Sequence, residues 1–555
     1  MCGIWALINL VKDKPDIARY LADFWAINRR GPDSSCLQTF PQAWIGFHRL
    51  AIMDKSFDSN QPFVFQEKDR TVVFICNGEI YNFKQLITKY ELDINNNSDC
   101  KTIPQLYLKF SKLNRLDLWY KLFENEIKGE FSFVLFEFDH LKTIRKIIAG
   151  RDMVGIRPMY YHKPTKDSKQ LIFTSEIKGA SYFPDNIEEF PPGNILTFKL
   201  NEFGSVSVEK NSFDWIYMVK EITPSNEFNE SYHLEKIRNA VINAVRRRLD
   251  SDRPMAFLNS GGVDSSLIVG IASKILGTPI KTFCCGMKGG TDLFYANKVA
   301  EHVKSNHTEV YFTAEDGLKA LDDVIYATET WDTTTIRASV GQYIVCKYVG
   351  TKTDCRVVMV GEGPDEVCSS YMFNWYAPNG EELDKCAKDF VKDLHIYDCK
   401  RSDRCISYHG LEGRVPLLDP EVIEAYWSIP AEWRMPKYKG IEKWWLRKAF
   451  DGYDIIPDEV LWRKKEAFSD GVSSKEKSWY TIIQDMCEDL ISDEDMILYQ
   501  TPTKEACYFK KKFIEKFSEN RLNIIPRYWL PRWNGEGQLV TQYMDPSARV
   551  LDVYD

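Results

Sequence analysis

Two patterns of apolar and polar positions divide the chain. From residue 1 to about 200, short apolar runs rich in β-branched and aromatic residues alternate with Gly, Pro and Asn turns. This pattern is typical of strands joined by tight turns, so we predict a sheet-rich α+β domain over residues 2–200. Its clearest predicted strands are Thr71 to Cys76, Phe131 to Phe138, Leu171 to Thr174 and Ile195 to Leu200.

The second half alternates strand and helix patterns. Apolar residues from Leu234 to Leu249 recur at helical spacing, and a short apolar run, Pro254 to Leu258, follows them. Because similar runs recur between further helical segments, we predict an α/β domain with a parallel sheet over residues 231–555. Residues 201–230 lack periodicity and are predicted to form a linker. The later predicted strands are Lys281 to Cys285, Thr308 to Phe312 and Arg356 to Val360.

Composition narrows the range of partners. With 44% hydrophobic and 27% charged residues, the chain is typical of a soluble globular protein. A net charge of -8 without a sustained basic run argues against nucleic-acid and membrane-surface partners. No apolar stretch reaches the roughly 20 residues that span a bilayer, and no signal-peptide pattern is present. The cysteines lack CxxC pairs and zinc-type spacing, which predicts reduced thiols and a cytosolic location.

The first candidate chemistry lies at the N-terminus. Cys2 follows Met1, and removal of Met1 would give Cys2 a free α-amine with a pKa of about 7.7 to 8.0. That amine can take the thiol proton, as an N-terminal threonine does with its own amine. The alternative is that the cysteine occurs at position 2 by chance and has no catalytic role.

A set of polar residues downstream is complementary to a free amino acid. Arg49 is a candidate to bind the α-carboxylate of the amino acid, and Glu79 and Asp99 are candidates to bind its α-ammonium group. Asn77 and the Gly78 N–H are candidates for an oxyanion hole around a side-chain amide attacked by Cys2. Each residue alone is more often a turn former or a surface charge, so the prediction depends on their occurring together.

These segments resemble a known class of domain. Together they look like the N-terminal-nucleophile, class II glutamine amidotransferase domain, which implies an αββα sandwich and glutamine hydrolysis through a γ-glutamyl thioester on Cys2. The resemblance adds Leu50 to the glutamine contacts. Lys101 stands where the family usually has an acidic residue. The matching segments are Met1-Cys2-Gly3-Ile4, Arg30-Gly31-Pro32-Asp33, His48 to Ala51, Asn77 to Asn82, Arg151-Asp152 and Gly155-Ile156-Arg157-Pro158.

The second candidate chemistry follows the predicted strand at 254–258. Ser260-Gly261-Gly262-Val263-Asp264-Ser265 ends a strand and opens a helix, so its N–H groups can converge on an anion. It is not a Walker A loop, because the terminal Gly-Lys-Ser/Thr is missing. A tight strand-to-helix connection is the alternative. The full pattern resembles the PP-loop of ATP pyrophosphatases, which implies cleavage between the α and β phosphates and therefore adenylation.

Further charged residues are candidates for the same site. Asp365, in Gly361 to Glu366, is predicted to complete a Mg²⁺ site with Asp264. The Lys465 ammonium is predicted to neutralise phosphate charge. Lys443 and Arg447 share a helical face, and either pyrophosphate binding or a surface position fits them.

Over nearly its whole length the chain resembles the glutamine-dependent asparagine synthetases, as Asp332 to Ser339, His409 to Pro416 and Asp545 to Arg549 also indicate. The resemblance implies an adenine nucleotide α-hydrolase-like second domain. Glu362 would assist deprotonation of ammonia, Lys465 would stabilise the adenylation transition state, and Arg337 would contact aspartate. Val360 replaces a usual serine, and Gly413 a larger residue. The implied ATP contacts are Leu258, Ser260, Gly261, Gly262, Asp264, Ser265, Cys285, Val360 and Gly361.

The resemblance implies a two-step synthesis. Aspartate would attack the α-phosphorus of MgATP, and ammonia from glutamine would then displace AMP from β-aspartyl-AMP. Because water destroys an acyl adenylate, we expect a closed passage between the domains. A homodimer is also implied. Two alternatives stay open at this point: a β-lactam synthetase-like cyclase, which needs no ammonia, and a catalytically silent regulatory protein on the same fold.

Overall fold

The computed structural model describes residues 1–8, 17–94, 97–162, 170–183, 186–200, 206–212, 228–466, 471–473 and 477–546. In these ranges the strands are β1 (Gly3–Ile8), β2 (Ser34–Phe40), β3 (Ala43–Arg49), β4 (Phe63–Gln66), β5 (Arg70–Ile80), β6 (Gly129–Asp139), β7 (Ile144–Arg151), β8 (Tyr160–Tyr161), β9 (Leu171–Thr174), β10 (Glu188–Glu189), β11 (Asn194–Leu200), β12 (Val206–Ser212), β13 (Met255–Leu258), β14 (Lys281–Gly286), β15 (Asn306–Tyr311), β16 (Val357–Met359) and β17 (Glu412–Arg414).

The helices are α1 (Ile17–Ala26), α2 (Phe83–Tyr90), α3 (Thr102–Lys112), α4 (Leu116–Asn125), α5 (Glu230–Arg247), α6 (Val263–Leu276), α7 (Thr291–Val303), α8 (Ala314–Thr328), α9 (Thr333–Lys352), α10 (Pro364–Val367), α11 (Gly380–Asp393), α12 (Asp398–Ser407), α13 (Pro420–Trp427), α14 (Ala431–Arg434), α15 (Pro436–Lys439), α16 (Trp444–Phe450), α17 (Asp458–Leu461), α18 (Trp479–Leu490), α19 (Asp493–Tyr499) and α20 (Lys504–Phe517). None of those described combines the length and the apolar character needed to cross a bilayer.

The first domain is a sandwich of two six-stranded antiparallel sheets, ordered β10-β8-β9-β1-β3-β2 and β12-β11-β7-β6-β5-β4. Side chains alternate along β1: Ile4 faces the core between the sheets, whereas Trp5 packs with Phe24 of α1 on the outer face. Helices α2 to α4 contribute to the core on the outer face of the second sheet. The predicted αββα sandwich is confirmed.

The predicted linker begins too early. Residues 206–212 form β12, which pairs antiparallel with β11 at the edge of the second sheet. The first domain therefore extends beyond residue 200. Edge strands are more exposed to solvent than central strands. Because Ser207 to Asn211 are mostly polar, a search for apolar runs does not detect this strand. The remainder of the predicted linker, 201–205 and 213–227, lies outside the described residues.

The second domain contains a five-stranded parallel sheet in the order β15-β14-β13-β16-β17. The predicted helix at 234–249 is α5, which Asn229 caps by accepting a hydrogen bond from the Tyr232 N–H at 3.1 Å. Strands β13 and β16 are neighbours, so the loops that follow them meet at one edge of the sheet. This edge is where ligands bind in open parallel sheets. All fourteen cysteines are free thiols.

Candidate active sites

Cys2 is held at the start of β1, beside the turn that follows β3. The pairing of Gly3 with His48 brings it next to Leu50, whose carbonyl oxygen lies 3.6 Å from the Cys2 Sγ and accepts its hydrogen bond. Burial raises the pKa of the Cys2 thiol to about 11, although the positive N-terminus opposes this effect. While Met1 is present, the thiol is therefore protonated at neutral pH.

Met1 itself is buried between the domains. Only 1% of its surface is exposed, and its ammonium donates to the Leu411 carbonyl oxygen at 3.0 Å. Burial lowers the pKa of this ammonium to about 6. Removal of Met1 by hydrolysis of the Met1–Cys2 peptide bond would create a new terminal α-amine on Cys2.

Asn77 and Gly78 lie near the C-terminal end of β5. Asn77 is fully buried, and neither its Nδ2 nor its Oδ1 has a hydrogen-bond partner within the described residues. An unpaired buried amide is costly, so its persistence indicates a ligand-binding role. A Cβ atom at Gly78 would lie 2.2 Å from the Glu130 carbonyl oxygen, so a side chain would not fit there without a backbone shift.

Glu79 and Asp99 form a pair of buried carboxyl groups. Asp99 Oδ2 accepts from the Ile80 N–H at 2.8 Å, and Glu79 Oε2 lies 3.7 Å from an Arg414 nitrogen. Burial raises the pKa of Asp99 to about 6, and burial together with Asp99 raises the pKa of Glu79. Because the pair lacks enough positive charge, an ammonium ion suits it.

Arg49 is fixed by a neighbouring loop. Its Nη1 donates to the Ser56 carbonyl oxygen at 2.8 Å and to Asn60 Oδ1 at 2.7 Å, and its Nη2 donates to the Asp54 carbonyl oxygen. The guanidinium is thus rigidly oriented, while its contact with a substrate carboxylate stays a prediction. The Lys101 ammonium lies 5.2 Å from the centre of the Phe63 ring.

A second site is a cavity of about 190 Å³ at the loops after β13 and β16. Gly261 has φ +69°, and a Cβ atom there would lie 2.5 Å from Tyr295 Cβ, so only glycine fits this loop. Gly261 itself lies within the same loop as the lining residues Ser260 and Gly262. The predicted residues that line the cavity are Leu258, Ser260, Gly262, Asp264, Ser265, Cys285, Val360, Gly361, Glu362, Asp365 and Lys465.

Two ammonium groups meet two carboxylates in this cavity. Lys443 Nζ pairs with Asp264 and, at 2.6 Å, with Asp365, and Lys465 Nζ lies 2.8 Å from Asp365. Burial would raise the pKa of Asp365, but the two lysines lower it well below its usual range. Lys443 and Arg447 are both almost fully buried, so the surface alternative for them is wrong.

Glu362 is held by residues that the sequence did not single out. Its Oε2 accepts from Arg401 Nη2 at 2.6 Å, and Gln342 Nε2 lies 3.3 Å from its Oε1. Burial raises the pKa of Glu362, and Arg401 opposes that rise. Neither Gln342 nor Arg401 belongs to a distinctive motif, and only their burial in α9 and α12 reveals them.

The structure does not bring Arg337 to the cavity. Its Nε donates to Glu505 at 2.8 Å and its Nη1 to Asp545 at 2.9 Å. These acidic partners occupy the guanidinium that was predicted to contact aspartate. Of the segment Asp545 to Arg549, the residues Ser547 to Arg549 lie outside the described residues.

Comparison with known proteins assigns the family. A glutamine amidotransferase domain model matches residues 1–191, and an asparagine synthase model matches residues 236–386 and 376–543. Proteins named asparagine synthetase [glutamine-hydrolyzing] are 36% identical in Gallus gallus and 34% identical in Mus musculus, each match covering 100% of this chain and 99% of the relative. The chain belongs to the glutamine-hydrolysing asparagine synthetases.

The full-length match does not favour the cyclase or the silent-protein alternative. Among solved structures, the glutamine phosphoribosylpyrophosphate amidotransferase from B. subtilis is 13% identical with a TM-score of 0.29, over 51% of this chain and 75% of that one. That score is low, so the fold assignment depends on the three sheets and on the family.

Proposed function

We propose that the chain makes L-asparagine from L-aspartate, L-glutamine and ATP by running two sites in series. The observation that carries the proposal is the unpaired amide of Asn77, which lies on the same strand as Gly78 and Glu79. The other domain of the chain holds a lysine-rich cavity at the predicted nucleotide loop. The first arrangement suits amide hydrolysis, and the second suits phosphate chemistry.

The glutaminase site would hydrolyse glutamine through Cys2. Once Met1 is removed, the Cys2 amine accepts the thiol proton and the sulfur attacks the side-chain amide carbon. The Asn77 amide and the Gly78 N–H donate to the oxyanion, which collapses to a thioester and expels ammonia. Water then hydrolyses the thioester to glutamate. Glu79 and Asp99 would bind the substrate ammonium, and Arg49 with Leu50 the remainder of its backbone.

The synthetase site would activate aspartate. The aspartate side-chain carboxylate attacks the α-phosphorus of ATP, and the bond to the β-phosphate breaks to release pyrophosphate. Lys465 and Lys443 would neutralise the charge that develops on the phosphates. Ammonia then attacks the acyl carbon of β-aspartyl-AMP, AMP leaves, and Glu362 accepts the excess proton. Burial raises the pKa of Glu362, which makes its carboxylate a stronger proton acceptor.

Asp264 and Asp365 would hold Mg²⁺. Their carboxylates are the ligand type that this ion prefers, and Asp264 Oδ1 is buried without a partner among the described residues. No cluster of three or more potential metal-binding side chains occurs in the described ranges. Asp264 and Asp365 would hold the ion beside the phosphates, where it would supply charge neutralisation. The enzyme would be a cytosolic homodimer without a nucleic-acid or membrane partner.

The proposal is tested with purified chain, aspartate, MgATP and amide-¹⁵N glutamine, with asparagine, glutamate and AMP followed together by mass spectrometry. Labelled asparagine with matching glutamate and AMP is the expected result. Cys2→Ala should abolish glutamine-driven synthesis and retain synthesis from added ammonia, whereas Cys36→Ala, a control at another accessible thiol, should keep both. AMP without asparagine would point to another acyl acceptor, and absence of AMP would refute adenylation.

A further inference from the structure

Helix α12 contacts the synthetase cavity directly and is linked to Cys2 through Arg30. It is buried from Cys399 to Ser407 although it carries five charged or hydroxyl side chains in its middle turns. Charged residues are rarely buried without a defined partner, so the partners of the buried residues of α12 show what this helix holds in place. One of these buried residues, Arg401, donates to Glu362 of the synthetase cavity at 2.6 Å.

Two residues later, Asp403 is directed towards the first domain. Its Oδ2 and Oδ1 accept from Nη1 and Nη2 of Arg30 at 2.7 and 3.1 Å, a bidentate pair in which both residues are buried. Arg30 Nη1 also donates to Ser407 Oγ at 3.0 Å and to Glu176 Oε1 at 2.8 Å. The plane and direction of the Arg30 guanidinium are therefore fixed largely by the second domain.

The third nitrogen of that guanidinium reaches the nucleophile. Arg30 Nε donates to the backbone carbonyl oxygen of Cys2 at 2.9 Å. After Met1 is removed, Cys2 is the first residue of the chain, and terminal residues are poorly ordered unless they are tied down. The hydrogen bond from Arg30 is such a tie. Arg30 Nη2 also lies 3.8 Å from Met1 Sδ, but the carbonyl that accepts from Nε belongs to Cys2 and stays in the chain when Met1 is removed.

We propose that Asp403 is a positioning residue for the glutaminase nucleophile, acting from the second domain through Arg30 on the carbonyl of Cys2. The thiol is then aligned for attack only when the two domains are docked. This inference assumes the glutaminase activity proposed above. It explains why a bidentate ion pair is buried at this point of the interface, where an apolar contact would serve docking alone.

The test uses the full-length Asp403→Asn variant. The expected result is a fall of about 10- to 100-fold in glutaminase kcat, the effect of weakening one charge-assisted hydrogen bond, with little change in KM for glutamine. Ammonia-dependent asparagine synthesis should stay within about twofold of wild type, since Asp403 does not line the synthetase cavity. A fall in glutaminase kcat with ammonia-dependent synthesis retained would not follow from a loss of folded protein, because such a loss lowers both activities together.

Asp384→Asn is the matched control, because Asp384 is a second-domain carboxylate paired with Arg434 and Lys388 away from both sites. It should alter both activities equally or neither. If Asp403→Asn behaves in the same way, or leaves glutaminase kcat unchanged, the proposal is wrong. Should Asp403→Asn fail to fold, Ser407→Ala removes a milder contact with Arg30, and a fall in glutaminase kcat alone is again expected. Wild-type protein without glutaminase activity would instead refute the proposed function.

Discussion

Asn77→Ala should separate glutaminase activity from folding stability. The amide is buried and unpaired within the described structure, so its removal relieves a desolvation cost of about 1–3 kcal/mol. The small cavity left by truncation offsets part of that gain. We therefore expect a thermal midpoint that is unchanged or higher. Loss of one oxyanion donor should nevertheless lower glutaminase kcat by about 10²–10³, or about 2.7–4 kcal/mol.

Asn82 provides a matched control in the same segment. Its Nδ2 donates to the Glu126 carbonyl oxygen at 2.8 Å and its Oδ1 accepts from the Lys128 N–H at 2.9 Å. Asn82→Ala leaves both backbone groups unpaired, which should cost about 1–3 kcal/mol. At about 2–4 °C per kcal/mol for a domain of this size, the midpoint should fall by several degrees. Glutaminase kcat per folded molecule should change little.

Scanning calorimetry measures the unfolding midpoint of both variants, and glutamate release measures their glutaminase activity. Ammonia-dependent synthesis serves as the reference activity of the second domain. The reasoning fails if Asn77→Ala lowers the midpoint as far as Asn82→Ala does. It also fails if Asn77→Ala hydrolyses glutamine at the wild-type rate, because the amide would then not contact the oxyanion.

Three further predictions concern maturation, pH and phosphate chemistry. Chain that retains Met1, verified by intact mass, should be almost inactive on glutamine yet normal with ammonia, because a thiol of pKa about 11 is ionised in about one molecule in a thousand at pH 8. Burial raises the pKa of Asp23 from 3.8 to about 7, so the folded state holds this proton more tightly and loses stability as pH rises through that interval. Asp23→Asn should therefore gain stability relative to wild type at pH 8 but not at pH 4, and parallel pH curves of the unfolding midpoint would contradict this. Lys465→Met should lower asparagine synthesis from either nitrogen source by about 10²–10³ and spare glutaminase turnover, whereas Lys437→Met, at an exposed lysine that does not line the cavity, should change both little; equal defects would refute a specific role for Lys465.

The architecture was predictable where apolar runs mark buried strands. The runs at Thr71 to Cys76 and Pro254 to Leu258 coincide with β5 and β13, because interior strands need apolar side chains along their length. The edge strand β12 was missed for the opposite reason. Its polar residues are exposed to solvent, so they form no apolar run that would predict a strand.

The nucleotide loop was also predictable, since its residues are contiguous and their chemistry is local. The partners of its charged side chains were not. Arg337 was predicted to contact aspartate, but its guanidinium pairs with Glu505 and Asp545, which lie 168 and 208 residues away in the chain. Gln342 and Arg401 were missed because a polar residue on a predicted helix is normally expected to be solvent-exposed. Their burial results from tertiary packing, which the sequence does not show.

Several buried charged residues lie where the two domains meet, among them the pairs Arg30–Asp403 and Arg404–Glu176. Glu176 of the first domain illustrates their energetics: burial would raise the pKa of this carboxyl, but Lys178, Arg404 and Arg30 lower it to about 2. Its contribution to stability is therefore present above pH 4.5 and is lost as pH falls towards 2. Apolar residues would hold the interface without that acid sensitivity, but they would not orient Arg30 against Cys2. Buried ion pairs at this interface are thus better explained by the orientation of groups at the nucleophile than by stability alone.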